Sequence, residues 1–135
     1  MTLDTPALML DPDDTSDLFR QYGDYWRDSM TAELVTFFAT QRFAGGYAAV
    51  RRRLYEKRRY YPFLLTEPGS VFLLKGDLAD MLEKLMQTGL PARKPGSATR
   101  PLDWRTCPYV PENGYGAFRL NAVKHAGLRE GVSHV

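Results

Sequence analysis

The hydrophobic pattern is most regular between Leu78 and Thr88. There Leu78, Met81, Leu82, Leu85 and Met86 fall at i, i+3, i+4, i+7 and i+8, one apolar stripe on a helix. The spacing predicts a helix over 78–88 with Asp77 as its N-cap. Gly89 ends it and Pro91 prevents its resumption. Before it, Val71-Phe72-Leu73-Leu74 is wholly apolar, as a central buried strand is. That run closes a strand predicted over Tyr61–Leu74 and broken at Glu67-Pro68-Gly69, where proline then glycine suits a type II turn. A second helix is predicted at Thr31–Gln41, capped by Ser29 or Thr31, because Leu34, Val35, Phe37, Phe38 and Gln41 cover one broad side. Leu18–Trp26 holds a short helical turn.

Strands fill the remaining patterned stretches. Thr2–Leu10 reads as a strand made irregular by Pro6. Phe43–Arg58 reads as a long strand opened by Gly45-Gly46, the mark of a bulge or a close backbone approach. Leu90–Tyr115 is irregular, and Gly116–Val123 alternates as a last strand. The order strand, helix, strand, strand, helix, strand predicts an α+β chain. It is the pattern of a ferredoxin-like (RRM-like) βαββαβ two-layer sandwich with glycine-rich loops and one sheet face open. One domain is expected over 1–123, followed by a polar tail, 124–135.

Composition narrows the class. With 135 residues and 44% hydrophobic content, the chain can bury one core. No apolar run approaches the roughly 20 residues that span a bilayer, so no membrane partner is expected. The acidic start MTLDTPALMLDPDD does not read as a signal peptide. Cys107 is the only cysteine, which agrees with a reducing cytoplasm. The formal charge of +2 conceals an asymmetry: residues 1–40 set Arg20 and Arg27 against eight acids, a net of −6, and the rest carries +8. An acidic front and a basic rear suggest two surfaces with different partners.

The sharpest local feature is Arg51-Arg52-Arg53-Leu54-Tyr55-Glu56-Lys57-Arg58-Arg59-Tyr60-Tyr61. On a strand, Tyr47, Ala49, Arg51, Arg53 and Tyr55 share one face, and Ala48, Val50, Arg52 and Leu54 the other. The first face offers guanidinium forks for phosphates and phenol rings for base stacking. The plainer reading is a solvated edge strand whose charges discourage edge pairing. A second feature is Asn113-Gly114-Tyr115-Gly116, where glycine permits positive φ and lets backbone N–H groups approach a phosphate; an ordinary turn is the alternative. The candidate RNA-binding residues are therefore Arg51, Arg53, Lys57, Arg58, Arg59, Tyr47, Tyr55, Gly45, Gly46, Gly114 and Gly116. No zinc spacing, P-loop or dinucleotide fingerprint is present, so no metal or cofactor is expected. His125 and His134 sit in the tail, and no catalytic set stands out, although His125 as general base defines an endoribonuclease alternative. A protein-interaction module without RNA is the third reading.

Taken in order, these motifs resemble a family. Phe43-Ala44-Gly45-Gly46-Tyr47, then Pro68-Gly69-Ser70-Val71-Phe72-Leu73-Leu74, then the helix with Gly89-Leu90-Pro91, then Gly114-Tyr115-Gly116-Ala117-Phe118-Arg119-Leu120 are similar to the RAMP superfamily of CRISPR-associated proteins. The likeness runs over residues 43–121. It implies a ferredoxin-like fold, binding of crRNA, and assembly with other CRISPR effector subunits. The nearest likeness is to the type III subunits that cap the 5′ handle of the crRNA. Such proteins are usually longer, often with two ferredoxin-like halves, so the chain corresponds to a C-terminal half, a split subunit or a single-domain member. RNA cleavage, which some members perform, is not implied, because no matching catalytic arrangement is present.

Overall fold

A computed structural model of the chain describes residues 1–11, 14–45, 63–93 and 107–120. The elements are β1 (Thr2–Leu3), α1 (Leu18–Met30), β2 (Glu33–Phe38), β3 (Gln41–Ala44), β4 (Phe63–Thr66), β5 (Val71–Lys75), α2 (Ala79–Thr88), a 3₁₀ turn (Pro111–Asn113) and β6 (Phe118–Arg119). They make a mixed α+β fold with two antiparallel sheets. One sheet has the order β2-β5-β1-β6, and the other pairs β3 with β4.

Helix α1 is a full helix rather than a short turn. The Asp17 carboxylate accepts the Arg20 N–H at 2.8 Å and caps its start. Gln21, Tyr22, Tyr25, Trp26 and Met30 form its buried stripe. Thr31 closes it in the left-handed region, with φ 55° and its N–H on the Arg27 carbonyl. Thr31 thus ends a helix instead of starting one, and the helix expected over 31–41 is not formed: β2 and the start of β3 occupy that stretch. The β-branched and aromatic run Val35-Thr36-Phe37-Phe38 favours the extended chain. The helix-like spacing has a definite cause. A bulge at Val35, between the pairs Leu34↔Leu74 and Thr36↔Leu73, inserts one residue, so inward-facing Leu34 and Phe37 stand three apart instead of two.

The two sheets share one hairpin. Chain 33–44 runs antiparallel to chain 63–75, through β2 with β5 and then β3 with β4. The ribbon breaks where Glu67-Pro68-Gly69-Ser70 turns. Gly69 takes φ 85°, and the Ser70 N–H bonds the Glu67 carbonyl at 3.3 Å. Across the break, Glu67 N–H donates to the Thr40 carbonyl at 2.9 Å and Thr40 N–H to Ser70 Oγ at 3.3 Å. The strand expected over 61–74 is therefore two strands in two sheets. Of the strand expected over 43–58, residues 43–44 belong to β3 and residues 46–58 lie outside the described residues. The strand expected over 2–10 is regular only at β1; beyond Pro6 it pairs at one point, Ala7 with Thr66.

Both helices pack on one face of the larger sheet. Tyr22 and Trp26 meet Phe72 edge-on at centroid distances of 5.0 and 5.4 Å, and Tyr22 meets Phe37 at 4.9 Å. Met1, Leu3, Met9, Leu34, Leu78, Leu90 and Phe118 join them, with Leu82 and Leu85 of α2 packed at the margin. Leu78 rather than Asp77 occupies the α2 N-cap position, because its buried side chain ties the start of the helix to this core. A buried polar chain links helix to hairpin: Gln41 Nε2 donates to the Tyr22 hydroxyl at 3.0 Å, and that hydroxyl bonds Thr66 Oγ1 at 2.8 Å. The opposite sheet face carries the row Phe38, Val71, Thr2 and Arg119.

Trp26 is fully buried against this core, so Trp26→Ala should lower stability by about 3–5 kcal/mol. Gly23 lies inside α1 with nothing within 4 Å of a Cβ added there. Gly23→Ala should therefore raise stability by about 0.5–1 kcal/mol. Urea midpoints of the two variants check both signs.

Candidate nucleic-acid interface

A second, smaller apolar cluster lies apart from the main core. Its centre is Leu8, Leu65, Cys107 and Val110, and against them pack Ala44, Phe63, Ala92, Tyr109 and Tyr115. Its members explain its importance. Ala44 and Phe63 are directly paired at the end of the β3–β4 ribbon, so segment 45–62 leaves and returns at adjacent points. Ala92 and Cys107 stand close to the two ends of segment 94–106 and belong to the same cluster. The Arg93 N–H is fixed to the Leu8 carbonyl at 2.7 Å. Its guanidinium bonds the Gln21 carbonyl at 3.2 Å and faces the Asp14 carboxylate at 3.7 Å. Four stems of two excursions therefore share one base.

Charge divides along the same line. The described residues hold seven Lys and Arg against twelve Asp and Glu, a net of −5 in a chain of +2. The compensating excess is +5 in residues 46–62 and +2 in residues 94–106. Arginines of the described body are met by the chain's own carboxylates. Arg27 faces Asp24 at 2.6 Å, Arg42 faces Glu67 at 3.3 Å, and Arg119 faces Asp4 at 3.4 Å. These exposed pairs contribute little stability.

Around the base stand three partly exposed aromatic rings. Phe63 meets Tyr109 at 5.4 Å and 68°, and Tyr109 meets Tyr115 at 5.3 Å and 87°. Such edge-to-face contacts fix ring orientation. Partial burial, then the nearby Tyr115, push the Tyr109 pKa up. Burial likewise raises the Cys107 thiol, whose Sγ accepts the Tyr109 N–H at 3.4 Å.

Of the residues the sequence singles out, Gly45, Gly114 and Gly116 are described. Gly45 has φ 112° and stands at the stem of segment 46–62. Gly114, with φ 87°, closes the 3₁₀ turn on Pro111 and faces open space. Gly116 is buried: its N–H donates to the Pro6 carbonyl at 2.8 Å, and its carbonyl accepts from Leu90 at 2.9 Å. Its backbone groups are thus spent within the fold, where a Cβ would stand 2.7 Å from the Leu90 oxygen. Arg51, Arg53, Lys57, Arg58, Arg59, Tyr47, Tyr55 and Gly46 lie outside the described residues, as do Trp104, His125 and His134. Sequence reading missed Phe63, Tyr109 and Tyr115 as a group, and the basic excess of 94–106. The signal for the second was the charge count; the first comes together only through long-range pairing.

Among the described residues, no group of His, Cys, Asp and Glu is placed to hold a metal ion. No described helix is long and apolar enough to cross a membrane. Comparison of the chain with protein-family models, with curated proteins and with solved structures gives no match.

Two outcomes test this description. Gly116→Ala should cost well over the roughly 1–2 kcal/mol that positive φ alone imposes on a side chain, whereas Gly114→Ala should cost only about that amount, as read by thermal or urea unfolding. Burial raises Tyr22, Tyr25, Tyr109 and Cys107 above their ordinary values of 10.0 and 9.0. The native chain therefore holds these protons more tightly than the unfolded one. Their contribution to stability is intact below about pH 8 and is lost as pH climbs through 9–10 and above, which urea midpoints at stepped alkaline pH would show.

Proposed function

We propose that the chain is a non-catalytic RNA-binding protein, a RAMP-like subunit of a CRISPR ribonucleoprotein that holds crRNA and contacts neighbouring subunits in the cytoplasm. The observation that carries the binding reading is the common base of the two basic segments. A net charge of +7 is confined to 46–62 and 94–106, whose ends meet at one apolar cluster of an otherwise acidic body. Within 51–61, six arginines and lysines are interleaved with Tyr55, Tyr60 and Tyr61, the composition that suits phosphates and stacked bases.

The ferredoxin-like reading draws support from sheet order. Taken alone, β1, β2, β5 and β6 follow one another in the chain with α1 after the first and α2 after the third, and they lie side by side as β2-β5-β1-β6. That is the sequence of a split βαβ sandwich, with β3, β4 and the segment between them inserted in its central hairpin. The acidic body then suits a basic neighbouring subunit. The RAMP assignment rests further on the glycine motifs around Gly45, Gly69, Gly89 and Gly114.

The test is the salt dependence of affinity for single-stranded RNA, measured by fluorescence anisotropy. Each phosphate neutralised contributes about 0.7 to the slope of log K against log salt. Joint Arg51→Ala, Arg53→Ala and Arg58→Ala should flatten that slope by about 2. An unchanged slope refutes the proposal. Metal-independent cutting of the RNA, lost in His125→Ala or His134→Ala, would replace it with the endoribonuclease reading.

A further inference from the structure

We infer that the RNA is taken as a single strand, with an unpaired base seated against the Tyr109–Tyr115 pair at the base of the basic segments. This rests on the RNA-binding reading and adds a division of labour to it. Arg42, beside Tyr109, is already held by Glu67 at 3.3 Å, and Arg93 by Asp14 and the Gln21 carbonyl. The described part of this base thus offers a phosphate no uncommitted guanidinium. It offers π surface and phenol edges instead.

Three features suit those rings to a base. Unlike Tyr22 and Trp26, which are fully enclosed in the main core, Phe63, Tyr109 and Tyr115 keep part of their surface exposed. They are also fixed in advance. Tyr109 is wedged between Phe63 and Tyr115, edge-to-face with both, and its backbone N–H is tied to Cys107 Sγ at 3.4 Å. A ring held in place loses little freedom when a ligand stacks on it. Finally, Gly114, exposed and without a side chain to obstruct the approach, adjoins Tyr115. Stacking needs an accessible base face, which a duplex hides and a single strand presents.

The experiment compares binding of the full chain to a labelled oligouridylate and to the same strand with abasic residues. The wild type should bind the base-bearing strand about tenfold more tightly or better, with the same salt slope for both. Tyr115→Leu, which keeps apolar bulk, should erase that preference without changing affinity for the abasic strand, and Tyr115→Phe should retain it. Equal binding of the two strands by the wild type overturns the inference while leaving the RNA-binding reading intact, and this arm needs no variant to fold. Equal weakening of both strands by Tyr115→Leu also overturns it. Binding of neither strand overturns the parent reading and the inference together.

Discussion

The architecture depends on how one short segment, residues 1–8, satisfies its backbone. Leu3 and its neighbours bond β5 on one side and β6 on the other. The next turn of chain pairs Ala7 with Thr66, through bonds of 3.0 and 2.8 Å, and brings the Leu8 carbonyl to Arg93. Every polar backbone group that enters an apolar interior needs a partner, and Met1, Thr2, Leu3, Ala7 and Leu8 of this segment are buried. In meeting that requirement it joins the four-stranded sheet, the two-stranded sheet and the stretch after α2. Without it, β6 would lose its only strand partner among the described residues, and the two apolar clusters would lose the wall formed by Ala7 and Leu8.

What could be read from sequence follows the range of the forces involved. Helix α2 was legible because its apolar positions repeat within a few turns, and the Pro68-Gly69 turn because proline and glycine act locally. The α+β class followed from those. Residues 31–41 misled because a bulge at Val35 converts a two-residue alternation into a three-residue step, and a bulge is decided by pairing with β5. Helix α1 was underestimated because Gly23 and its many charged residues dilute a stripe that only packing against Phe72 makes plain. For the candidate site, the basic run and the glycines were visible as composition. The meeting of Ala44, Phe63, Ala92 and Cys107 was not, since it brings together residues far apart in the chain.

The body and its basic segments also have opposite electrostatic characters. Carboxylates at Asp4, Asp14, Asp24 and Glu67 meet Arg119, Arg93, Arg27 and Arg42, and the sequence's net positive charge falls in 46–62 and 94–106. On the proposed reading, a polyanion would be repelled by the acidic body and drawn to the basic segments, which would orient it before contact. The aromatic rings lie at the boundary between these regions, at the stems themselves.

Sharing a base has a kinetic meaning for the two segments. The residues flanking each, Ala44 with Phe63 and Ala92 with Cys107, belong to one cluster of the body. On the proposed RNA-binding reading, once one segment engaged a strand the other would meet it at high effective concentration. Under that proposal the two attachments would act as a chelate: a strand would leave only when both were released together, so its residence would be longer than either segment alone would provide.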